Sequence, residues 1–248
     1  MNAFVTMPTD LPIREDLPSA FRGFWAWLAE PGNWWSGAEK VAIAAEARNA
    51  PFCEFCKTRK EALSPSMVEG THSTVQDVLP EAAVDAVHRL ITDATCITQT
   101  YIEETFSGEL TDGHYVELLG ITVAVLSVDQ FHRALSLPLE DLPKPKTGEP
   151  SWYRPPGAVP GVGYVPMIPE NKLSDNEADL YAGSGAPNVI RAMSLVPDCV
   201  RQMRLLSDAQ YLPMNVLMST ESDPSRSLSR AQIELVAARV SSINECFY

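Results

Sequence analysis

A capped helix that ends in a cysteine occurs twice in this chain, and it restricts the fold more than any other feature. Ser36-Gly-Ala-Glu39 leads through KVAIAAEARNAPF to Cys53, and Ser229-Arg-Ala-Gln232 leads through IELVAARVSSINE to Cys246. The serine lies 17 residues before the cysteine in both copies. Each opens with the S-x-x-[E/Q] box, whose side chains satisfy backbone N–H groups that a helix start leaves orphaned. An alanine pair also falls in the same register, Ala44-Ala45 and Ala237-Ala238. The first copy continues into a complete CxxC, Cys53-Glu54-Phe55-Cys56, whereas the second reads Cys246-Phe247-Tyr248.

The rest of the chain is in keeping with helices. Strand alternation is sparse, and apolar residues recur at three- and four-residue spacing. The pattern predicts helices over Ser19–Leu28 and Gly37–Asn49, with Pro51 stopping the second and opening a third that holds Cys53 and Cys56 near its start. Leu79–Ser107 reads as one long helix or two, and Thr111–Leu135 as another. Nine of the twenty prolines then fall between Pro138 and Pro169. That composition predicts an extended connector, with Trp152, Tyr153, Tyr164 and Val165 laying it along a surface. Beyond it, Asn188–Leu195, Pro197–Leu206 and Ser207–Leu212 read as short helices and Ser219–Ser227 as a polar loop. The expectation is an all-α protein of two related units: residues 1–137 with the CxxC, a connector over 138–187, and an incomplete second unit over 188–248. An apolar face lacking its covering helices predicts self-association, with a homodimer favoured.

The net charge of −13 over 248 residues argues against nucleic acid and anionic membrane surfaces as partners. No apolar run approaches the roughly 20 residues of a membrane span. The acids and prolines of the N-terminal stretch do not resemble a signal peptide, so a cytoplasmic protein is expected. Five cysteines in such a chain do not suggest a structural disulfide framework. Cys96 and Cys199, each single within an apparent helix, read as buried inert thiols.

Two cysteines at CxxC spacing on the first turn of a helix can close a reducible disulfide. Orphan N–H groups and the helix dipole there favour the thiolate, the form that attacks a peroxide or a disulfide. Zinc would need a second pair of ligands, and there is no second complete CxxC, so no metal and no cofactor are expected. Glu234, twelve residues before Cys246, stands where a carboxylate can take a thiol proton.

A glutamate, a CxxC twelve positions on, and a histidine four beyond the second cysteine make up the core of the AhpD-like alkylhydroperoxidases. These are all-helical oligomers of the carboxymuconolactone decarboxylase superfamily. SRAQIELVAARVSSINECFY resembles the approach to that site, and PNVIRAMSLVPDCVRQMRLL resembles the helices before it; the first half is similar more loosely. The resemblance implies that Glu234 is the relay glutamate and Cys246 the resolving cysteine, with the peroxidatic residue at position 249. A relic half-site, a shortened chain, and a reading frame cut at an in-frame UGA for selenocysteine are the three readings of that ending. In the first unit the family's glutamate position is Val41 and its histidine position is Lys60. There the resemblance implies Cys56 as attacking thiolate and Cys53 as resolver. AVHRLITD and YVELLGITVAVLSVDQFHRAL resemble regions common in the superfamily, which makes His88 and Glu117 the candidates for proton relay.

Glu46, seven residues before Cys53 on the same helix face, reads first as a solvated residue. His72 and His114 fall in loops or at helix starts, and His132 suits a helix C-terminus. Trp25, Trp27, Trp34 and Trp35 read as core or dimer contacts, or as the lining of an apolar pocket. The function expected is a thiol-dependent peroxidase or thiol-disulfide oxidoreductase acting with an external thiol reductant. A non-catalytic oligomeric scaffold and a decarboxylase-like lyase are the alternatives, although that lyase chemistry uses no CxxC.

Overall fold

A computed structural model describes residues 11–181, 186–217, 219, 222–244 and 246. Among them the fold is all-α, with one isolated antiparallel bridge between Val159 and Met167. None of its helices is long and apolar enough to cross a membrane.

Helix α1 (Asp16–Ala29) buries Leu17, Phe21, Phe24, Trp25 and Leu28 along one stripe. It starts three residues before its expected position. Pro18 sits in the first turn, where a missing N–H costs no intrahelical bond. Helix α2 (Gly37–Asn49) begins at the complete Ser36/Glu39 capping box and runs through the middle of the molecule, packed against α1 and the later α4 and α6. Its Ala42, Ala44 and Ala47 are buried, and such short side chains let neighbouring helices approach closely. Pro51 interrupts it in a single 3-10 turn, and Cys53 then becomes the N-cap of α3 (Glu54–Glu61).

Of the two readings of Leu79–Ser107, one helix or two, the structure has two. Helices α4 (Glu81–Thr92) and α5 (Gln99–Ser107) are separated at Asp93, whose φ of −156° leaves the helical region. Cys96 ends the short 3-10 turn there and is half-exposed, which corrects its reading as a buried helical thiol. Helix α6 (Asp112–Ala134) is the central pillar, burying Val116, Leu118, Ile121, Val125 and Val128.

The proline-rich arm lies on the molecule as expected. Its Lys146, Ser151 and Trp152 N–H groups donate to the carbonyls of Ala29, Gly32 and Asn33 at 2.8, 3.0 and 2.8 Å. Val165 and Ile168 reach the core, while Trp152 and Tyr164 stay exposed. After α7 (Asn188–Arg191), α8 (Pro197–Gln210) merges two of the expected short helices. It packs on α1 and α6, and its Cys199, Val200 and Leu206 join the same core as Phe24 and Ile121. The expected boundary at 188 is therefore crossed by the core: α8 covers the first unit. A Cβ added at Gly120 would lie 2.6 Å from Cys199 Sγ, so only glycine lets α6 and α8 approach this closely.

Helices α9 (Met214–Leu217) and α10 (Arg230–Ile243) follow. The α10 capping box, Ser229 with Gln232, is complete, as in α2. Unlike α2, α10 has no buried residue and exposes Leu235, Val236, Val240 and Ile243.

Candidate functional site

Three elements and one loop converge on the first cysteine pair. Cys53 caps α3 and Cys56 lies on its first turn; both are fully buried. Helix α4 packs against α2 and α3 and projects Asp85 and His88 from neighbouring turns of one face. The exposed segment 68–78 lies over the pair and carries His72 inward.

Two imidazoles meet the sulfurs. His88 Nδ1 is 3.2 Å from Cys56 Sγ, and its Nε2 is 3.2 Å from Glu46 Oε2, with both side chains fully buried. His72 Nδ1 lies 3.4 Å from Cys56 Sγ and 3.7 Å from Cys53 Sγ, and its Nε2 is 3.0 Å from Asp85 Oδ1. The two rings are 4.4 Å apart between centroids. Each histidine thus turns Nδ1 to sulfur and Nε2 to a carboxylate.

The carboxylates are themselves held. Asp85 accepts from Arg59 Nη1 at 2.9 Å and Arg89 Nε at 2.8 Å. Glu46 Oε1 accepts from the Thr74 hydroxyl and from the N–H groups of Val75 at 2.8 Å and Gln76 at 3.1 Å. Burial would raise the Glu46 carboxyl, but His88, Thr74, Val75 and Asn49 outweigh it and bring its pKa down to about 2. Burial likewise opposes ionisation of Asp85, and the His72 and Arg89 contacts hold it below the ordinary carboxylate range.

Cys53 sits in a field that favours its anion. Burial raises the Cys53 thiol, but the N–H groups of Cys56 and Ser73, the Ser73 hydroxyl and the His72 ring lower it to about 5. Burial disfavours the His72 cation, while Asp85 and the two sulfurs favour it, taking the ring up to about 9.

The structure brings Cys53, Cys56 and His88 together as a group, but it sends Glu117 elsewhere. Glu117 Oε1 accepts from the Asn33 N–H at 3.1 Å, and Oε2 from those of Trp34 at 2.6 Å and Trp35 at 3.3 Å. A Cβ on Gly32 would lie 1.7 Å from Glu117 Oε1, so that backbone closes on the carboxylate. Burial raises its pKa, opposed by Lys40 and those N–H groups. Its partners are structural: Glu117 pins the tryptophan loop, and the relay role expected for it is corrected. Trp25 and Trp35 are core residues, and Trp34 packs against His114 and Trp152.

Glu234 also serves locally. Its Oε2 accepts from the Tyr211 hydroxyl and its Oε1 from Arg230 Nε, both at 2.7 Å. Cys246 is exposed just past α10, with its N–H donating to Ser241 O at 2.9 Å. Cys199 is buried and burial pushes its thiol well above the ordinary range, as suits an inert core residue. His132 is buried near the end of α6, with Nδ1 2.9 Å from Val128 O and Nε2 3.6 Å from Glu140.

Glu46 is fully buried at the site, which corrects its reading as a solvated residue. His72, Asp85 and Arg59 are the members that sequence reasoning missed. Asp85 and His88 stand three apart on a predicted helix, a visible signal, whereas nothing local marks His72, which reaches the sulfurs through a loop. Comparison with family models, with curated proteins and with solved structures finds no match to this chain.

Proposed function

We propose that the chain is a thiol-dependent oxidoreductase of the alkylhydroperoxidase-like kind, working at Cys53 and Cys56. The observation that carries this reading is the buried Cys56–His88–Glu46 line, 3.2 Å at each step. A nucleophile in contact with a base that a third group orients is the arrangement of activated nucleophiles generally.

In this reading His88 takes the Cys56 proton. The thiolate attacks one oxygen of a hydroperoxide, the O–O bond breaks, and Cys56 becomes a sulfenic acid. The alkoxide leaves as an alcohol with a proton from the His72 imidazolium, whose Nδ1 lies near both sulfurs. The Cys53 thiolate then attacks the Cys56 sulfur, the S–O bond breaks, the hydroxide leaves as water with the proton that His88 took, and a disulfide forms. An external dithiol returns two electrons to reopen the bridge. Because both sulfurs are buried, the 68–78 segment has to part for an oxidant to enter.

Peroxide consumption by the reduced protein with an added dithiol is the test. Cys56→Ser should abolish it, with Cys53→Ser stopping the cycle at a sulfenic acid that dimedone traps. His88→Asn should slow the first step by about 100-fold or more. Turnover unchanged by Cys56→Ser would remove this reading.

A further inference from the structure

The same four side chains have the donor set and spacing of a closed metal centre. The ligating atoms of Cys53, Cys56, His72 and His88 all lie within 4.8 Å of one another. Around a tetrahedral zinc, with Zn–S near 2.3 Å and Zn–N near 2.0–2.1 Å, a sulfur and a nitrogen stand about 3.5 Å apart. Three of the four sulfur–nitrogen separations here are 3.2, 3.4 and 3.7 Å, on either side of that value, and the fourth, Cys53 to His88, is within 4.8 Å.

The next layer outward agrees. A metal-ligating histidine donates its other ring N–H to a carboxylate or carbonyl, which fixes the tautomer and raises ligand basicity. Both histidines do this, His88 to Glu46 and His72 to Asp85, each leaving Nδ1 directed at the sulfurs. Charge also balances. Two thiolates neutralise a divalent cation, and the charges of Glu46 and Asp85 are matched in number by Arg59 and Arg89, both of which bond Asp85. A neutral cluster is one that an apolar interior tolerates. In place of a second CxxC, His72 and His88 supply the two further ligands from outside any contiguous motif.

We infer that the reduced chain holds one zinc ion between Cys53, Cys56, His72 and His88. Two soft sulfurs and two imidazoles suit a tetrahedral zinc and exclude calcium and magnesium, which take oxygen ligands. With four protein ligands there is no open coordination position, so the ion braces the α2–α3–α4 junction and the 68–78 segment. It also occupies both thiolates, so a zinc-loaded pair is not the one that attacks a peroxide, and closing the Cys53–Cys56 bridge ejects the ion.

The test titrates cobalt(II), as a spectroscopic stand-in for zinc, into the reduced, metal-free full chain. One equivalent should produce the visible d–d bands of tetrahedral cobalt with a near-ultraviolet thiolate charge-transfer band, and one equivalent of zinc should erase both. Zinc should also protect Cys53 and Cys56 from alkylation while leaving Cys96 reactive. Asp85→Asn should weaken zinc binding by about 10- to 100-fold while keeping the tetrahedral spectrum. An octahedral spectrum, or bound metal with Cys53 and Cys56 still alkylating freely, would overturn the inference. Mapping the disulfide formed by peroxide in metal-free protein separates the two readings. A Cys53–Cys56 bridge without cobalt binding sinks only the metal site, and cobalt binding without that bridge sinks only the redox one.

Discussion

Lys40 shows how a single residue away from the cysteines sets a pH response. It lies fully buried on α2, with Nζ donating to Trp27 O at 2.8 Å and lying 3.3 Å from the Trp27 ring centroid. Burial lowers its pKa from 10.5 to about 8, although Glu117 pulls the other way. Between those values the unfolded chain holds the proton and the folded chain has lost it, so stability should rise with pH from about 8 to 10.5. The full rise is on the order of 3 kcal/mol. Urea unfolding of wild type and Lys40→Met should show the difference between them shifting in favour of wild type across that window. A difference that stays constant would mean that Lys40 keeps its charge throughout.

Residues divide by how local their reasons are. Cys53 and Cys56 could be named from the sequence because a motif marks them, and His88 because of the resemblance carried by AVHRLITD. Glu46 could not be assigned correctly: its register on α2 is visible, but what covers that face is not. His72 sits in a loop whose path depends on Thr74, Val75 and Gln76 bonding Glu46, a set of contacts no spacing encodes. Glu117 was misassigned for the converse reason. An acid in an apolar helix needs partners, and the backbone of Asn33–Trp35 meets that need as well as a catalytic group would.

Elements repeat the lesson with helices α2 and α10. Both start at the same kind of capping box, and both were legible from S-x-x-[E/Q]. The sequence pattern fixes the start of a helix, but burial decides its worth. Ser36→Ala should lower global stability by about 1 kcal/mol, because α2 is packed on three sides. Ser229→Ala should fray α10 and leave the main urea transition in place, since no α10 residue is buried. Hydrogen exchange would separate the two, with faster exchange confined to 230–243 in the second variant. At the α6–α8 crossing, Gly120→Val should cost about 1–3 kcal/mol through overpacking against Cys199, read as a lower urea midpoint.

At the scale of the whole molecule, the all-α class and the surface path of the proline arm were readable, and the assignment of α8 was not. Periodicity tells which face of α8 is apolar; it does not tell which core that face enters. Since α8 covers α1 and α6, a chain ended at residue 187 should lose cooperative urea unfolding and bind an apolar dye. A sharp transition in that shortened chain would show that the first unit stands without α8.

Glu46 works as a two-armed bracket between the buried sulfurs and the outside surface. One oxygen carries the imidazole that faces Cys56, and the other carries the covering segment at Thr74, Val75 and Gln76. Whatever changes the demand on the inner arm alters the grip of the outer one. A displacement of His88 would therefore reach the surface stretch through one carboxylate.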